Sequence, residues 1–305
     1  VKQPFTYTKR SEQKINKIKG AAMSVFTAEN EFLSLKVKEM GAELNSLILK
    51  STGREYIWGG NPDIWYGQSP ILFPFIGRLL DDKYFVNGKE YTCRKHGIVR
   101  KKPFSLVSKT NSSLTFLQTE DDNSLLQYPY KFNLYIAYTI NGQSLTVNHK
   151  VVNTNDCKMY FSIGAHPGFN CEIGDIISFD TPQVVKTERI DDDAILMSEK
   201  FPLLNNEKHL TITNDLFNND ALIISGLTEE SLVLKGNDYR LKFSFYNAPV
   251  LGIWAKPSAP YVCLEPWFGI NDDYNKKSDI SQKRGIIELN AGEDFSFNWR
   301  VEIEN

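Results

Sequence analysis

Four histidines occur in the 305 residues, so each can be weighed separately. His96 sits in Cys93-Arg94-Lys95-His96-Gly97-Ile98, and His166 in Ser162-Ile163-Gly164-Ala165-His166-Pro167-Gly168-Phe169. Imidazole is the side chain that gains and loses a proton near neutral pH. Both stand beside glycine at the end of an apolar segment, where glycine allows unusual backbone angles and close approach. Pro167 stiffens the exit. Strand ends and loops carry most sites, so for both residues a functional role stands beside a structural one. His149 shares a face with Leu145, Val147 and Val151 and reads as an inward, hydrogen-bonded core residue. His209 reads as exposed and idle.

One carboxylate and one guanidinium join them. Glu265 closes the apolar run Tyr261-Val262-Cys263-Leu264 and is followed by Pro266-Trp267. A carboxylate this near a buried strand requires a partner or a raised pKa; a salt-bridged structural glutamate is the alternative. Arg78 closes the run Pro70-Ile71-Leu72-Phe73-Pro74-Phe75-Ile76-Gly77. Set into a pocket, such an arginine makes bidentate contacts to oxygen ligands; otherwise it is a surface charge. The spacings HxH and HExxH are absent, so no metal is expected. There is no G-x-S-x-G and no βαβ pattern, which argues against a serine hydrolase, and no phosphate-cradling glycine motif.

The elements that must position these residues read as strands. Leu33, Leu35 and Val37 alternate with polar residues, as do Phe295, Phe297, Trp299, Val301 and Ile303. A period of two means a strand with one face buried. Further strands are expected over Leu114–Thr119, Phe132–Ile140, Leu145–Val152, Met159–Ile163, Ser231–Lys235, Arg240–Tyr246, Val250–Ala255 and Tyr261–Glu265. Asn87-Gly88 and Asn141-Gly142 read as hairpin turns with both central residues at positive φ, and Gly236-Asn237 as a third turn. Short helical turns fit near Asn61–Trp65 and Leu216–Asp220. No run of a dozen residues has a helical period. The fold class is all-β: a large antiparallel β-sandwich or barrel, read as one domain over residues 23–305. Residues 1–22 hold six Lys or Arg against one Glu and lack an apolar stretch, so they read as a leader or tag-like segment outside the fold.

Composition narrows the function classes. The net charge of −2 gives no global field for nucleic acid. No stretch of 18 apolar residues exists to span a membrane. Aromatics make up 12% of the chain, most of them expected in the core and some available to stack on sugar faces. Cys93, Cys157, Cys171 and Cys263 form no CxxC pair and suit reduced, mostly buried thiols of a cytoplasmic protein.

Three segments in this order resemble the aldose 1-epimerase (galactose mutarotase-like) family, in its LacX-type and hexose-phosphate epimerase-like branch. The first runs from Leu72 to Arg78, through Asn87-Gly88-Lys89-Glu90-Tyr91, to His96-Gly97. The second is Gly164-Ala165-His166-Pro167-Gly168-Phe169. The third is Leu264-Glu265-Pro266-Trp267 with Gly269 and Asp272. The resemblance spans about residues 26–303 and implies a β-supersandwich and a cofactor-free sugar isomerase. By motif position Glu265 would be the general base and His166 the general acid, on opposite sides of a pocket, with a nearby carboxylate raising the imidazole pKa. His96 and Arg78 would hold sugar hydroxyls or the ring oxygen, with Trp267 also against the substrate. Asp220 is the best fit for the family's substrate-binding aspartate, with Asp215 as competitor. Arg100, four residues after His96, resembles the basic position of hexose-phosphate members, and Arg94, Lys95, Lys101 and Lys102 lie beside it. The substrate would be a free or phosphorylated hexose. A homodimer is compatible with the sequence, and a non-catalytic sugar-binding sandwich is the competing reading.

Overall fold

A computed structural model describes residues 24–275 and 279–304. The segment 1–22 lies outside the described residues. The described strands form a 15-stranded sheet, a four-stranded sheet and two two-stranded ribbons, and every ladder between them is antiparallel. The four-stranded sheet, Val25–Glu29 to Arg54–Glu55, packs on the face of the large one. Phe26 meets Phe116 at 5.6 Å between ring centroids, and the Tyr138 hydroxyl donates to the Ala42 carbonyl at 2.6 Å. The core follows the period of two. Leu33, Leu35 and Val37 are buried, as are Phe297, Trp299, Val301 and Ile303 at the other end of the chain.

Five neighbouring strands of the large sheet matter most: Ile71–Leu72, Ile163–Ala165, Tyr261–Phe268, Val250–Trp254 and Leu222–Ser225. His166 follows the second. Glu265 and Trp267 lie in the third, Trp254 ends the fourth, and Asp220 precedes the fifth.

Most expected strands are present, with informative differences. The strand expected to end at Glu265 runs on to Phe268. Pro266 lies opposite Leu251 within it. The strand expected over Met159–Ile163 divides at Ser162, whose N–H donates to Pro74 O at 2.7 Å. Met159–Phe161 pairs with Ile287–Leu289, and Ile163–Ala165 pairs with Tyr261–Phe268 and Ile71–Leu72. Arg240–Ser244 stops before Tyr246, as Phe245 N–H turns to Glu230 O. Asn87 and Gly88 both take positive φ as expected, but at the next hairpin only Gly142 does; Asn141 ends its strand.

Several strands were not expected, among them Val25–Glu29, Leu44–Leu49, Ser105–Lys109 and Leu222–Ser225, and two further elements show why the pattern can fail. The helix Asp122–Gln127 is too short for a period, although its capping box of Asp121 and Ser124 is legible. The hairpin of Ile176–Ile190 and Leu196–Thr211 is largely solvated, and four register shifts break its alternation.

Asn153 ties the end of its own strand to the segment that follows it and to the end of Ile287–Leu289. It is fully buried, and its amide donates to the carbonyls of Cys157, Leu289 and Asn290 at 2.8, 3.0 and 2.9 Å. Asn153→Leu would leave these acceptors unpaired, at about 1–3 kcal/mol for each buried one. A loss of at least ~2 kcal/mol in urea unfolding is expected; a loss below ~0.5 kcal/mol would mean that the amide holds nothing together.

Candidate active site

The geometry begins with a close approach of two backbones. Ile98 N–H donates to Phe73 O at 2.9 Å and His96 N–H to Gly77 O at 2.8 Å. His96 and Gly97 both adopt left-handed backbone, with φ of +67° and +76°. A Cβ on Gly97 would lie 2.0 Å from the Phe73 carbonyl oxygen, so this approach requires glycine. The turn buries the His96 imidazole, whose Nδ1 accepts from Gly77 N–H at 3.2 Å. A neutral ring that accepts at Nδ1 carries its proton on Nε2.

His166 is held by its backbone and by flat neighbours. Its N–H donates to Pro70 O at 3.1 Å. The ring stacks on Trp65 at 5.1 Å and meets Trp254 edge-on at 5.6 Å. Its Nε2 lies 3.4 Å from Glu265 Oε2, while its buried Nδ1 has no hydrogen-bond partner among the described residues. Cys263, Glu265 and Trp267 project from one face of their strand by the period of two. Trp267 Nε1 donates to Glu265 Oε2 at 3.2 Å. Added Cβ atoms on Gly164 and Gly252 would lie 2.9 and 2.8 Å from this indole, so two positions without side chains give it room.

Burial dominates the electrostatics. Glu265 is 1% exposed. Desolvation pushes its pKa well above the usual carboxylate range, against the pull of the Trp267 hydrogen bond and of Lys95. Desolvation pushes His166 down to about 3, with Lys95 and Arg100 adding to it. His96 is lowered well below its ordinary value by burial first, then by His166, Lys95 and Arg100. The expectation that a carboxylate would raise the imidazole pKa does not hold in the free site, where burial lowers it. Acid and base also stand side by side, not on opposite sides. Burial thus acts against the charged form of both groups. Moving one proton across the 3.4 Å contact turns a neutral pair into carboxylate and imidazolium with no change in net charge.

His96, Arg100, His166, Asp220, Glu265 and Trp267 all line one cavity of about 270 Å³. Arg78 is the exception among the residues named from sequence. Its Nε and Nη2 donate to the Asp82 carboxylate at 3.0 and 3.3 Å and its Nη1 to Asp193 O at 3.0 Å, outside the cavity lining. Its neighbour Gly77 serves the site instead, through its backbone contacts to His96. Between the two candidate aspartates, Asp220 reaches the cavity, while exposed Asp215 accepts from the Thr213 hydroxyl elsewhere. Arg100 is half-buried and makes no ion pair among the described residues.

Lys95, Lys256, Trp65, Trp254 and Asn271 also line the cavity. Sequence reasoning placed only Lys95 near the site, within its basic cluster. Trp254 had a legible signal, a large aromatic at a strand end; Asn271 lies inside the Gly269–Asp272 motif without having been singled out. His166, Cys263 and Glu265 bring nitrogen, sulfur and oxygen within 4.8 Å of one another, the one grouping among the described residues that could hold a metal. Burial raises the Cys263 thiol as it raises Glu265, so both would have to give up a proton to bind a cation.

An all-β scaffold thus holds a buried carboxyl group against a histidine in a cavity walled by tryptophans. The chain belongs to the aldose 1-epimerase family, matching it over residues 24–302. It is 31% identical over 283 residues to protein LacX of Lactococcus lactis subsp. lactis, covering 86% of this chain and 93% of that one. A galactose mutarotase related enzyme from Lactobacillus acidophilus superposes with a TM-score of 0.88 at 29% identity, covering 92% of this chain and 98% of its own. A galactose mutarotase-like protein from Lactobacillus casei gives 0.87 at 26%, covering 92% and 100%. The antiparallel β fold is therefore galactose mutarotase-like. Among the described residues no helix is long and apolar enough to cross a membrane.

Three buried imidazoles give stability a definite pH dependence. His149, stacked on Phe297 at 4.4 Å, is lowered by burial to about 3, like His166, and His96 is lowered too. The His149 Nδ1 lacks the hydrogen bond expected of it among the described residues. Their contribution is present above 6.5 and is lost as pH falls toward about 3, because the unfolded chain takes protons that the folded one refuses. Glu265, raised above 4.5, works oppositely: its contribution is present below that value and is lost as pH rises through the folded pKa. Three imidazoles outweigh one carboxyl, so the urea midpoint should fall as pH drops from about 6.5 to 4.5. His149→Phe should flatten this slope by one proton, about 1.4 kcal/mol per pH unit. An unchanged slope would show that the folded protein protonates His149 freely.

Proposed function

We propose that the chain is an aldose 1-epimerase that interconverts the α and β anomers of a hexose or hexose phosphate by acid/base ring opening. The observation that carries this reading is the 3.4 Å contact of His166 Nε2 with Glu265 Oε2 at the wall of a sugar-sized cavity. O1 and O5 of an aldopyranose are both bonded to C1, so the two groups that exchange protons with them must stand close together. A non-catalytic sugar-binding protein has no need of such a pair.

Glu265, as carboxylate, takes the proton of the O1 hydroxyl. The C1–O5 bond breaks, its electrons go to O5, and His166 as imidazolium delivers a proton there. The open aldehyde turns about C1–C2 and closes on its other face by the reverse transfers. The Trp267 N–H steadies the carboxylate form. His96, with its proton on Nε2, donates to a hydroxyl or the ring oxygen, and Asp220 accepts from hydroxyls. Arg100, beside Lys95, is the group for an anionic substituent. Each proton transfer is worth ~10²–10⁴-fold.

Glu265→Gln keeps the shape and removes the proton acceptor. Anomer exchange by NMR should fall by ~10²-fold or more with thermal unfolding nearly unchanged; retention of more than about a tenth of the rate would remove Glu265 from this role. His166→Asn should lower kcat with little change in KM, since an acid acts in the transition state, whereas His96→Asn should also raise KM. The same pattern in both variants, with KM unmoved, would overturn the division of roles.

A further inference from the structure

The acid/base pair has a third neighbour that proton transfer does not use. The Cys263 sulfur lies within 4.8 Å of a donor atom on His166 and of one on Glu265, so nitrogen, sulfur and oxygen converge. The period of two puts Cys263 on the same strand face as Glu265. The thiol is fully buried, while the imidazole and the carboxyl line the cavity and give an ion a way in.

The geometry suits a small tetrahedral cation. With bonds of about 2.0–2.3 Å, ligands at the corners of a tetrahedron stand roughly 3.3–3.6 Å apart. His166 Nε2 and Glu265 Oε2 are already 3.4 Å apart. The sulfur would need to come closer by at most about 1.3 Å, a small side-chain movement. Trp267 Nε1 donates to Glu265 Oε2 at 3.2 Å, the kind of outer hydrogen bond that orients a ligating carboxylate. Thiolate with imidazole selects zinc, whereas magnesium and calcium require more oxygen ligands than converge here. One thiolate and one carboxylate cancel the charge of a divalent ion, so the loaded site is neutral, as burial favours. One feature argues against a resident metal. His166 Nδ1 has no hydrogen-bond partner among the described residues, whereas the histidine of a permanent site donates to one. A cation here binds and leaves.

We infer that the acid/base site doubles as a reversible, inhibitory zinc site, held by His166, Cys263 and Glu265, with water in the fourth position. The ion replaces the protons of the thiol and the carboxyl, which pass to solvent, and nothing is oxidised or reduced. The inhibition, though not the binding, rests on the mutarotase reading: zinc occupies the oxygen of the base and the nitrogen of the acid, so neither exchanges a proton with a sugar.

Two measurements test this. Cobalt(II), used as a spectroscopic substitute for zinc, should give a thiolate-to-metal charge-transfer band. Zinc at micromolar concentration should stop anomer exchange, with recovery on adding EDTA and no effect of equal magnesium or calcium. Cys263→Ala and Cys263→Ser should keep most of the exchange activity, lose the band and need about tenfold more zinc or above for half-inhibition. Cys157→Ser, which removes the exposed thiol, should change neither readout. A band or a zinc sensitivity that survives unchanged in both Cys263 variants overturns the inference, as does an active wild type that zinc does not inhibit. A band that depends on Cys263 in a protein that exchanges no sugar defeats the mutarotase reading and leaves the metal site standing.

Discussion

The site depends on one constraint: a carboxyl group buried in the middle of a β-sheet must be matched by neighbours that replace water. Glu265 sits within its strand, where an ionised side chain without partners is strongly disfavoured. The Trp267 N–H and the His166 imidazole are the groups placed against it. Each has its own structural requirement. The indole needs the side-chain-free positions Gly164 and Gly252. The imidazole needs the face of Trp65 to stack on and Trp254 against it edge-on. A chemically reactive pair is thus a consequence of how the sheet accommodates one acid.

The same constraint explains why the pair can shuttle a proton. Burial raises one partner and lowers the other, so separate charging is disfavoured, yet a proton moving between them creates no net charge. Trp267 favours the carboxylate and Lys95 acts in the same sense. A sugar that brings hydroxyls to both groups adds the hydrogen bonds that the charged form requires. The second buried histidine of the cavity is also constrained: Gly77 N–H fixes His96 as a donor at Nε2.

Much of this was legible. The period of two revealed the strands, because one face of each meets the core. The glycine beside each site histidine marked a close approach, at 96–97 through positive φ and at 164 through the packing of Trp267. Glu265 stood out because a carboxylate rarely enters an apolar run. Arg78 misled because its motif position carries no information on where the guanidinium turns; Asp82, four residues later, takes it. Trp65 and Asn271 were not singled out because a pocket wall is assembled from distant segments, and a side chain's part in it is set by packing.

The long hairpin shows a further limit. Leu196–Thr211 pairs with Ile176–Ile190 alone among the described strands, and an edge this long invites pairing with other chains. Lysines, glutamates, Pro202 and repeated register shifts oppose that. Those features erase the alternation by which strands are recognised, so the hairpin was invisible as structure. Its inner end nevertheless brings Ile190, Met197 and Phe201 to a second chamber beside the cavity. Catalytic groups obey sharp rules of burial and spacing and leave a trace in sequence. Side chains that only line a chamber obey no such rules, and an edge strand protected from aggregation can supply them without any motif.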